Sequence, residues 1–375
     1  MSNLQDEDRL LMQDAVDKFI GDHYPFEKKE KRLEELGKFG GHWGTFAELG
    51  WLMLPFSEEA GGLGGGIADA QVLMRAFGRG LIAEPYSEVV LQAGKTLEFC
   101  APPERLEELL YPLLAGELKL VLAHGEQKAD PDFGIVSCRA VTSDQGYLLS
   151  GVKRVVSQAG AADQFLVTAL LNNEPALFVV DCHVEGLAIN EYLTIDTRYS
   201  ADLHFNEVLL AENALVATGD AVAQGVRNAL LFTFAALSGE VQGIAINLRL
   251  MTVEYLNTRE QFGTRIANFQ ALQHMLADMV IKEEEITSLA WLMGNVWGTD
   301  DKLEREKLIR SAKARMLKVG REMAELAVQL HGGIGVTDEL IISHYLRRMI
   351  AIDAFYGDVQ QQQLWLANQY LAGKE

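Results

Sequence analysis

Apolar residues recur at three- and four-residue spacing from Glu7 to about Glu117. Leu10, Leu11, Ala15, Phe19 and Ile20 fall on one helix face; Phe46, Leu49, Leu52 and Leu54 fit a second segment, and Ala70–Phe77 and Val89–Phe99 fit two more. Pro55, the glycines between 61 and 66, Pro85 and the Pro102–Pro103 pair interrupt the pattern. It predicts a helical domain over residues 1–117. From 118 to 217 the period becomes strand-like. Leu118–Ala123, Gly146–Ser150, Lys153–Val156, Gln164–Leu171, Ala176–Val180 and Ala201–Phe205 are short runs rich in Val, Leu, Phe and Tyr. They predict a sandwich or barrel with antiparallel pairing. From 218 to 375 the helical period returns in longer segments. Ala221–Thr258, Phe269–Trp297, Leu303–His331 and Gln360–Ala372 predict a bundle of long antiparallel helices. The fold class is mainly α with a central β-domain.

Composition narrows this picture. The 375 residues are 49 % hydrophobic and 23 % charged, enough apolar surface for large cores and too much for a disordered chain. A net charge of −20 argues against nucleic acid as partner, since phosphate binding needs a positive field. Cys100, Cys138 and Cys182 form no CxxC pair, which fits reduced structural thiols. The N-terminus is charged and amphipathic rather than a signal peptide. The longest apolar-rich window, Ala229–Leu237, is too short to span a bilayer. These features predict a cytoplasmic protein without a membrane span.

Three segments carry candidate chemistry. The glycine cluster from Gly61 to Gly66 follows a helical pattern and lacks the Lys-Ser/Thr of a P-loop, so it reads as a flexible loop. In Arg259-Glu260-Gln261-Phe262-Gly263, a helix runs into Arg259, Gly263 ends it, and a new helix starts near Asn268. A guanidinium at that turn offers forked donors for a pyrophosphate, Phe262 an aromatic face, and Gln270 an amide. A capped turn with a solvated arginine is the plain alternative. In Gln329-Leu330-His331-Gly332-Gly333-Ile334-Gly335 a long helix ends in glycines whose small surface would admit a flat purine, or merely caps the helix. The eight histidines show no metal-ligand spacing.

Together, Tyr255-x-x-x-Arg259-x-x-Phe262-Gly263, Phe269-Gln270, His274-x-x-Ala277-Asp278-Met279 and Gln329-x-His331-Gly332-Gly333-x-Gly335, on a helix–strand–helix layout, resemble the acyl-CoA dehydrogenase family across essentially the whole chain. The resemblance implies an N-terminal helical domain, a middle β-domain and a C-terminal four-helix bundle. It implies FAD as cofactor and oxidation of an acyl-CoA to the 2,3-enoyl-CoA. It further implies that Arg259, Phe262, Gln270, Gln329, Gly332 and Gly333 contact a neighbouring subunit's flavin. Ser157, in Val155-Val156-Ser157, would reach the flavin N5 edge, and Gln360 is a further implied contact. The family's Thr-Glu-Pro-x-Ala-Gly-Ser-Asp stretch aligns with residues 125–132, where Gly125 replaces a hydroxyl.

The reaction needs a carboxylate to remove a weakly acidic C2 proton. The family's base positions hold Tyr356, in Phe355-Tyr356-Gly357-Asp358, and Thr233, with Phe234 where an arginine is usual. Asp358 and Glu240 are the nearest carboxylates in sequence. This pattern resembles the small subunit of heteromeric pimeloyl-CoA or steroid-type enzymes. That implies a base-carrying second subunit in an α2β2 complex, an acyl-CoA substrate and an electron acceptor such as electron-transfer flavoprotein. The alternatives are a self-sufficient homotetramer with an unusual base, a non-catalytic acyl-CoA-binding or assembly scaffold, and a flavin monooxygenase on the same fold.

Overall fold

The computed structural model describes residues 5–28, 41–126, 133–134 and 137–372. It resolves into two compact units, each assembled from separated stretches of chain. One comprises residues 30–66 and 83–233, the other 1–29, 67–82 and 234–375. The division falls within the helix Asp220–Thr258, whereas the sequence pattern divides the chain near 117 and 217.

The first unit is built on a mixed sheet. Its strands are β1 (Leu120–Ala123), β2 (Arg139–Ser143), β3 (Gly146–Ser157), β4 (Gln164–Leu171), β5 (Glu174–Asp181), β6 (Leu187–Leu193), β7 (Tyr199–Leu210) and β8 (Leu215–Thr218). The order is β6-β7-β3-β2-β4-β5-β8, with β1 beside β4. Most pairs are antiparallel as expected, but β1 and β2 both run parallel to β4. The two runs read as separate strands, Gly146–Ser150 and Lys153–Val156, are one strand with irregularities after Leu149 and Lys153. The first break follows from Gly151, whose φ of 141° lets its backbone pass Cys138; a Cβ there would lie 2.7 Å from the Cys138 Cα.

A helical segment of this unit departs from the simple amphipathic expectation. Ser87–Gly94 is a π-helix continuing into the α-helix Lys95–Cys100. It is buried on all sides, including its polar residues Ser87, Glu88, Gln92, Lys95 and Thr96. The Lys95 ammonium lies within 4.8 Å of the Phe56 ring centre and 4.5 Å of Phe232, and ion-pairs with Glu98. The glycine cluster is not a flexible loop. Gly62 N donates to Ser57 O at 2.8 Å, Gly64 N to Phe56 O at 2.8 Å and Gly65 N to Leu54 O at 3.0 Å. A Cβ on Gly62 would meet Phe56 O at 2.3 Å, so the segment is a packed turn with no room for a side chain at Gly62.

The second unit is the helical bundle. It contains residues 234–258 of the long helix, then Gln270–Asn295, Lys302–His331, Ile341–Ala354 and Val359–Ala372. The sequence pattern anticipates all but Ile341–Ala354. Ile244, Leu248, Ile286, Met323, Ile342 and Tyr345 are among its fully buried side chains; each such burial contributes roughly 1.5–3 kcal/mol. The helix Ile67–Gly80 belongs to this unit and crosses the long helix in backbone contact. A Cβ on Gly243 would lie 1.9 Å from Arg75 O, and one on Gly78 2.3 Å from Glu240 O. The helix Asp220–Thr258 is long and apolar enough to cross a membrane, but its most apolar window is 89 % buried within the protein. This corrects the expectation that no segment reaches that length.

Candidate functional site

The two glycine-ended motifs of the bundle lie side by side. Tyr255, near the end of the long helix, stacks on His331 with ring centres 4.5 Å apart and planes 27° from parallel. His331 Nδ1 donates to Ala327 O at 2.8 Å, which fixes the ring, and burial lowers its pKa. The turn that follows Tyr255 is not the simple helix–helix turn read from the sequence. Glu260–Gln261 and Thr264–Arg265 form a two-residue antiparallel ladder, with Phe262 and Gly263 at its tip. Both tip residues have positive φ, 56° and 78°, the geometry of a tight hairpin turn. For phenylalanine this conformation costs about 1 kcal/mol.

That cost is joined by a second. Phe262 is 92 % exposed, and its ring contact among the described residues is with the partly exposed Phe269, edge to face at 6.1 Å. An aromatic ring held strained and bare marks a contact surface. The side chains around it suit an anion with a flat apolar part. Arg259 is exposed, and its guanidinium has no partner among the described residues. Gln270 opens the next helix, and Gln329, Gly332 and Gly333 are exposed at the adjoining helix end. Gly332 has φ 65°, and a Cβ on either glycine would meet nothing within 4 Å. Forked N–H donors, amides and an open glycine surface fit a dinucleotide pyrophosphate and its bases. In an acidic chain this local chemistry is distinctive. Gln360 is exposed on the last helix.

The turn at residues 355–358 is held from behind by buried side chains. Lys313 Nζ donates to Phe355 O and Gly357 O, each at 2.6 Å, and Gln362 Nε2 to Tyr356 O at 3.2 Å and Gly357 O at 3.0 Å. Arg310 Nη1 in turn donates to Gln362 Oε1 at 2.8 Å. Three consecutive carbonyls are thereby satisfied, and Tyr356 is fixed at φ 44° with its ring edge-on to Phe355 at 4.7 Å. Phe234 lies under the Lys313 ammonium, 4.0 Å from ring centre to Nζ.

Both carboxylates nominated from the sequence have structural partners. Glu240 is buried and grips Arg348 with both oxygens, at 2.6 and 3.0 Å. Asp358 caps the last helix: its Oδ1 accepts from Gln361 N at 2.9 Å, and Gln361 Oε1 accepts from Asp358 N at 3.0 Å. Removing a proton acceptor from either task would break an ion pair or a helix cap. Thr233 is spent as well, donating its buried hydroxyl to Ala229 O at 2.8 Å and Leu91 O at 3.0 Å.

Lys313 supplies a stability signature. Burial lowers its pKa to about 7, against the raising effect of Asp353. The folded chain therefore releases this proton near pH 7, while the unfolded chain holds it to the ordinary lysine range. Between those limits the unfolded state binds more protons, so Lys313's contribution to stability grows as pH rises and is lost as pH falls through 7. Melting curves of wild type and Lys313→Met from pH 6 to 9.5 will show the gap moving in favour of wild type with pH. A constant gap contradicts this.

In the sheet unit, Ser157 ends β3, beyond the irregularity that carries Val155 at φ 52°. Its hydroxyl donates to Glu88 Oε1 at 2.8 Å. Gln158 Oε1 and Gln92 Nε2 are buried with no hydrogen-bond partner. An orphaned buried amide oxygen on the residue that follows a strand-end hydroxyl fits a polar heterocycle such as an isoalloxazine. Glu88 and the clamp on the 355–358 turn were not read from the sequence. The available signal for Glu88 was an acid beside the apolar residues Val89, Val90 and Leu91. The segment 127–132, aligned with a flavin loop, lies outside the described residues, as do 135–136. Among the described residues no group of three His, Cys, Asp or Glu could hold a metal ion.

Comparison with known proteins adds independent findings. The family model for the acyl-CoA dehydrogenase N-terminal domain matches residues 6–117, and that for the C-terminal domain matches 224–371. Caffeyl-CoA reductase-Etf complex subunit CarC of Acetobacterium woodii is 27 % identical over 351 residues, covering 90 % of this chain and 92 % of that protein. A variant of the Tcur3481–Tcur3483 steroid ACAD superposes with TM-score 0.85 at 26 % identity, over 98 % of this chain and 99 % of that one. A chain of the ChsE4–ChsE5 complex of Mycobacterium tuberculosis gives TM-score 0.83 at 23 % identity, over 99 % of both, a likeness of fold.

Proposed function

Because the chain belongs to the acyl-CoA dehydrogenase family, oxidoreductases acting on the CH–CH group of acyl-CoA thioesters, we propose that it is one subunit of an FAD-dependent heteromer. In this reading a second, related subunit carries the catalytic base, and two copies of each assemble around shared flavin sites. The observation that carries it is a split between two sets of residues. The edge formed by Arg259, Phe262, Gln270, Gln329, Gly332 and Gly333 is present and bare, while the positions of the family's base hold Tyr356 and a spent Thr233. A phenol is neutral near pH 7 and does not draw a proton from carbon at C2.

The chain's own residues then divide the work. Arg259 neutralises phosphate charge and fixes its orientation with a fork of N–H donors. Phe262 covers an aromatic ring, and the glycines let the neighbour's cofactor approach the backbone. Ser157 meets the flavin of this chain's own middle domain. Lys313 and Gln362 keep the 355–358 turn rigid. Bound FAD would supply the acceptor for the C3 hydride, with electron-transfer flavoprotein as the onward acceptor. The relatives' names support such assembly: one is a subunit of a complex with Etf, and others carry paired designations.

The test is co-expression with each acyl-CoA dehydrogenase-like chain of the same genome, followed by an anaerobic screen of fatty, dicarboxylic and steroid acyl-CoA thioesters with a dye acceptor. The reading expects a yellow complex that forms a 2,3-enoyl-CoA from at least one class. A colourless complex, inert to all three, refutes it.

A further inference from the structure

Glu88 is an acid in a setting that has little use for one. It lies on the buried π-helix Ser87–Gly94 and is 4 % exposed. No arginine or lysine pairs with it among the described residues; its partners are two hydroxyls. Ser87 Oγ donates to Oε2 and Ser157 Oγ to Oε1, each at 2.8 Å. A buried carboxylate supported only by hydroxyls is costly, and π-helical turns are found disproportionately at functional sites. Within the chain Glu88 thus does one thing of consequence: it commits the single proton of Ser157.

A serine hydroxyl has one proton to give and lone pairs to receive. Once the proton points at Glu88, the oxygen toward any further ligand is an acceptor only. We propose that Glu88 is a positioning residue that turns Ser157 into an obligatory hydrogen-bond acceptor for the flavin ring. This deepens the reading above and rests on its placement of FAD against Ser157. Oxidised flavin presents a bare N5, which needs a donor; reduced flavin presents N5–H, which needs an acceptor. An acceptor-only hydroxyl matches the reduced ring and mismatches the oxidised one, and so raises the midpoint potential. Gln158 and Gln92, whose orphaned polar atoms lie one residue from Ser157 and four from Glu88, are available to the rest of the ring edge.

The experiment measures the midpoint potential of bound FAD, with FAD content, in the full chain purified with its partner. Glu88→Leu releases the Ser157 proton toward the flavin. Exchanging one mismatched hydrogen bond for a matched one changes the oxidised-to-reduced preference about tenfold, a fall of about 30 mV for a two-electron couple. Glu88→Gln keeps the side-chain volume and tests the same point if the leucine variant folds poorly; a smaller fall is expected, since its amide oxygen still accepts one hydroxyl. In the Ser157→Ala background only the shift from losing the Glu88 charge remains, so the difference between the two backgrounds reads the Ser157 proton. Unchanged potentials in both variants, or equal falls with and without Ser157, overturn the proposal while leaving the flavin reading intact. If Ser157→Ala alters neither FAD content nor potential, Ser157 does not border the flavin, and the reading and the proposal fall together.

Discussion

Lys153→Met is expected to cost about 3–5 kcal/mol and to cost the sheet unit its cooperative fold. Lys153 is fully buried on β3, and its ammonium donates to Glu126 Oε1 at 2.9 Å, His124 O at 3.1 Å and Thr168 Oγ1 at 3.2 Å. Burial raises the Glu126 carboxyl, but Lys153, Ser137 and Cys138 outweigh it and hold the group below its ordinary pKa. Burial and the Lys153 charge push His124 down to about 3, so the ring is neutral. Its Nε2 faces Phe133 O at 3.1 Å and must carry the proton; its Nδ1 therefore accepts from Thr168 Oγ1 at 2.9 Å. Every proton in the network has one assignment, and removal of the ammonium strands a carboxylate. Against a total stability of about 5–15 kcal/mol, such a loss decides whether the domain folds. Denaturant melts of Lys153→Met, and of Lys153→Met with Glu126→Gln, check this. The double variant should recover part of the loss; a single-variant loss below about 1 kcal/mol contradicts the network.

Arg259→Ala should leave the fold alone and strip flavin from the assembled protein. The side chain is exposed and unpartnered among the described residues, so its removal vacates no packing. A hydrogen bond to a charged group is worth about 1.5–3 kcal/mol, so losing even one weakens FAD binding by about 10- to 100-fold. Arg265, also exposed and opposite Glu260 across the hairpin, is the internal control: its loss should weaken binding only slightly, as a screened surface charge. Fluorescence titration of FAD into the apo complex reads both. Equal affinities for wild type and Arg259→Ala would remove Arg259 from the cofactor site.

Much of this architecture is legible in the sequence because helical and strand periods report burial directly. Gln164–Leu171 appears in the structure with the limits the pattern gives. The long helices differ by at most two residues at their ends. What escapes has identifiable causes. Strand β6 is almost wholly exposed, so it lacks apolar alternation. The parallel pairing of β1 and β2 with β4 is set by tertiary contacts that no local period records. The hairpin at Phe262 hides because phenylalanine is an unusual residue for a left-handed turn.

The site divides in the same way. Arg259, Phe262 and the glycines at 332 and 333 are visible as motifs, and the stacking of Tyr255 on His331 brings the motifs together. The fates of Glu240 and Asp358 are not visible, because Arg348 is 108 positions from Glu240 and a cap is defined by geometry. A carboxylate near the right place in sequence is a base only if nothing else in the fold has claimed it.

The most direct measurement is 2,3-dehydrogenation by the purified chain alone, supplied with FAD, acyl-CoA thioesters and a dye acceptor, beside the same assay with its partner present. The account predicts no enoyl-CoA from the lone chain and turnover from the pair. Full turnover by the lone chain would mean that it holds a proton acceptor of its own, and would contradict the account.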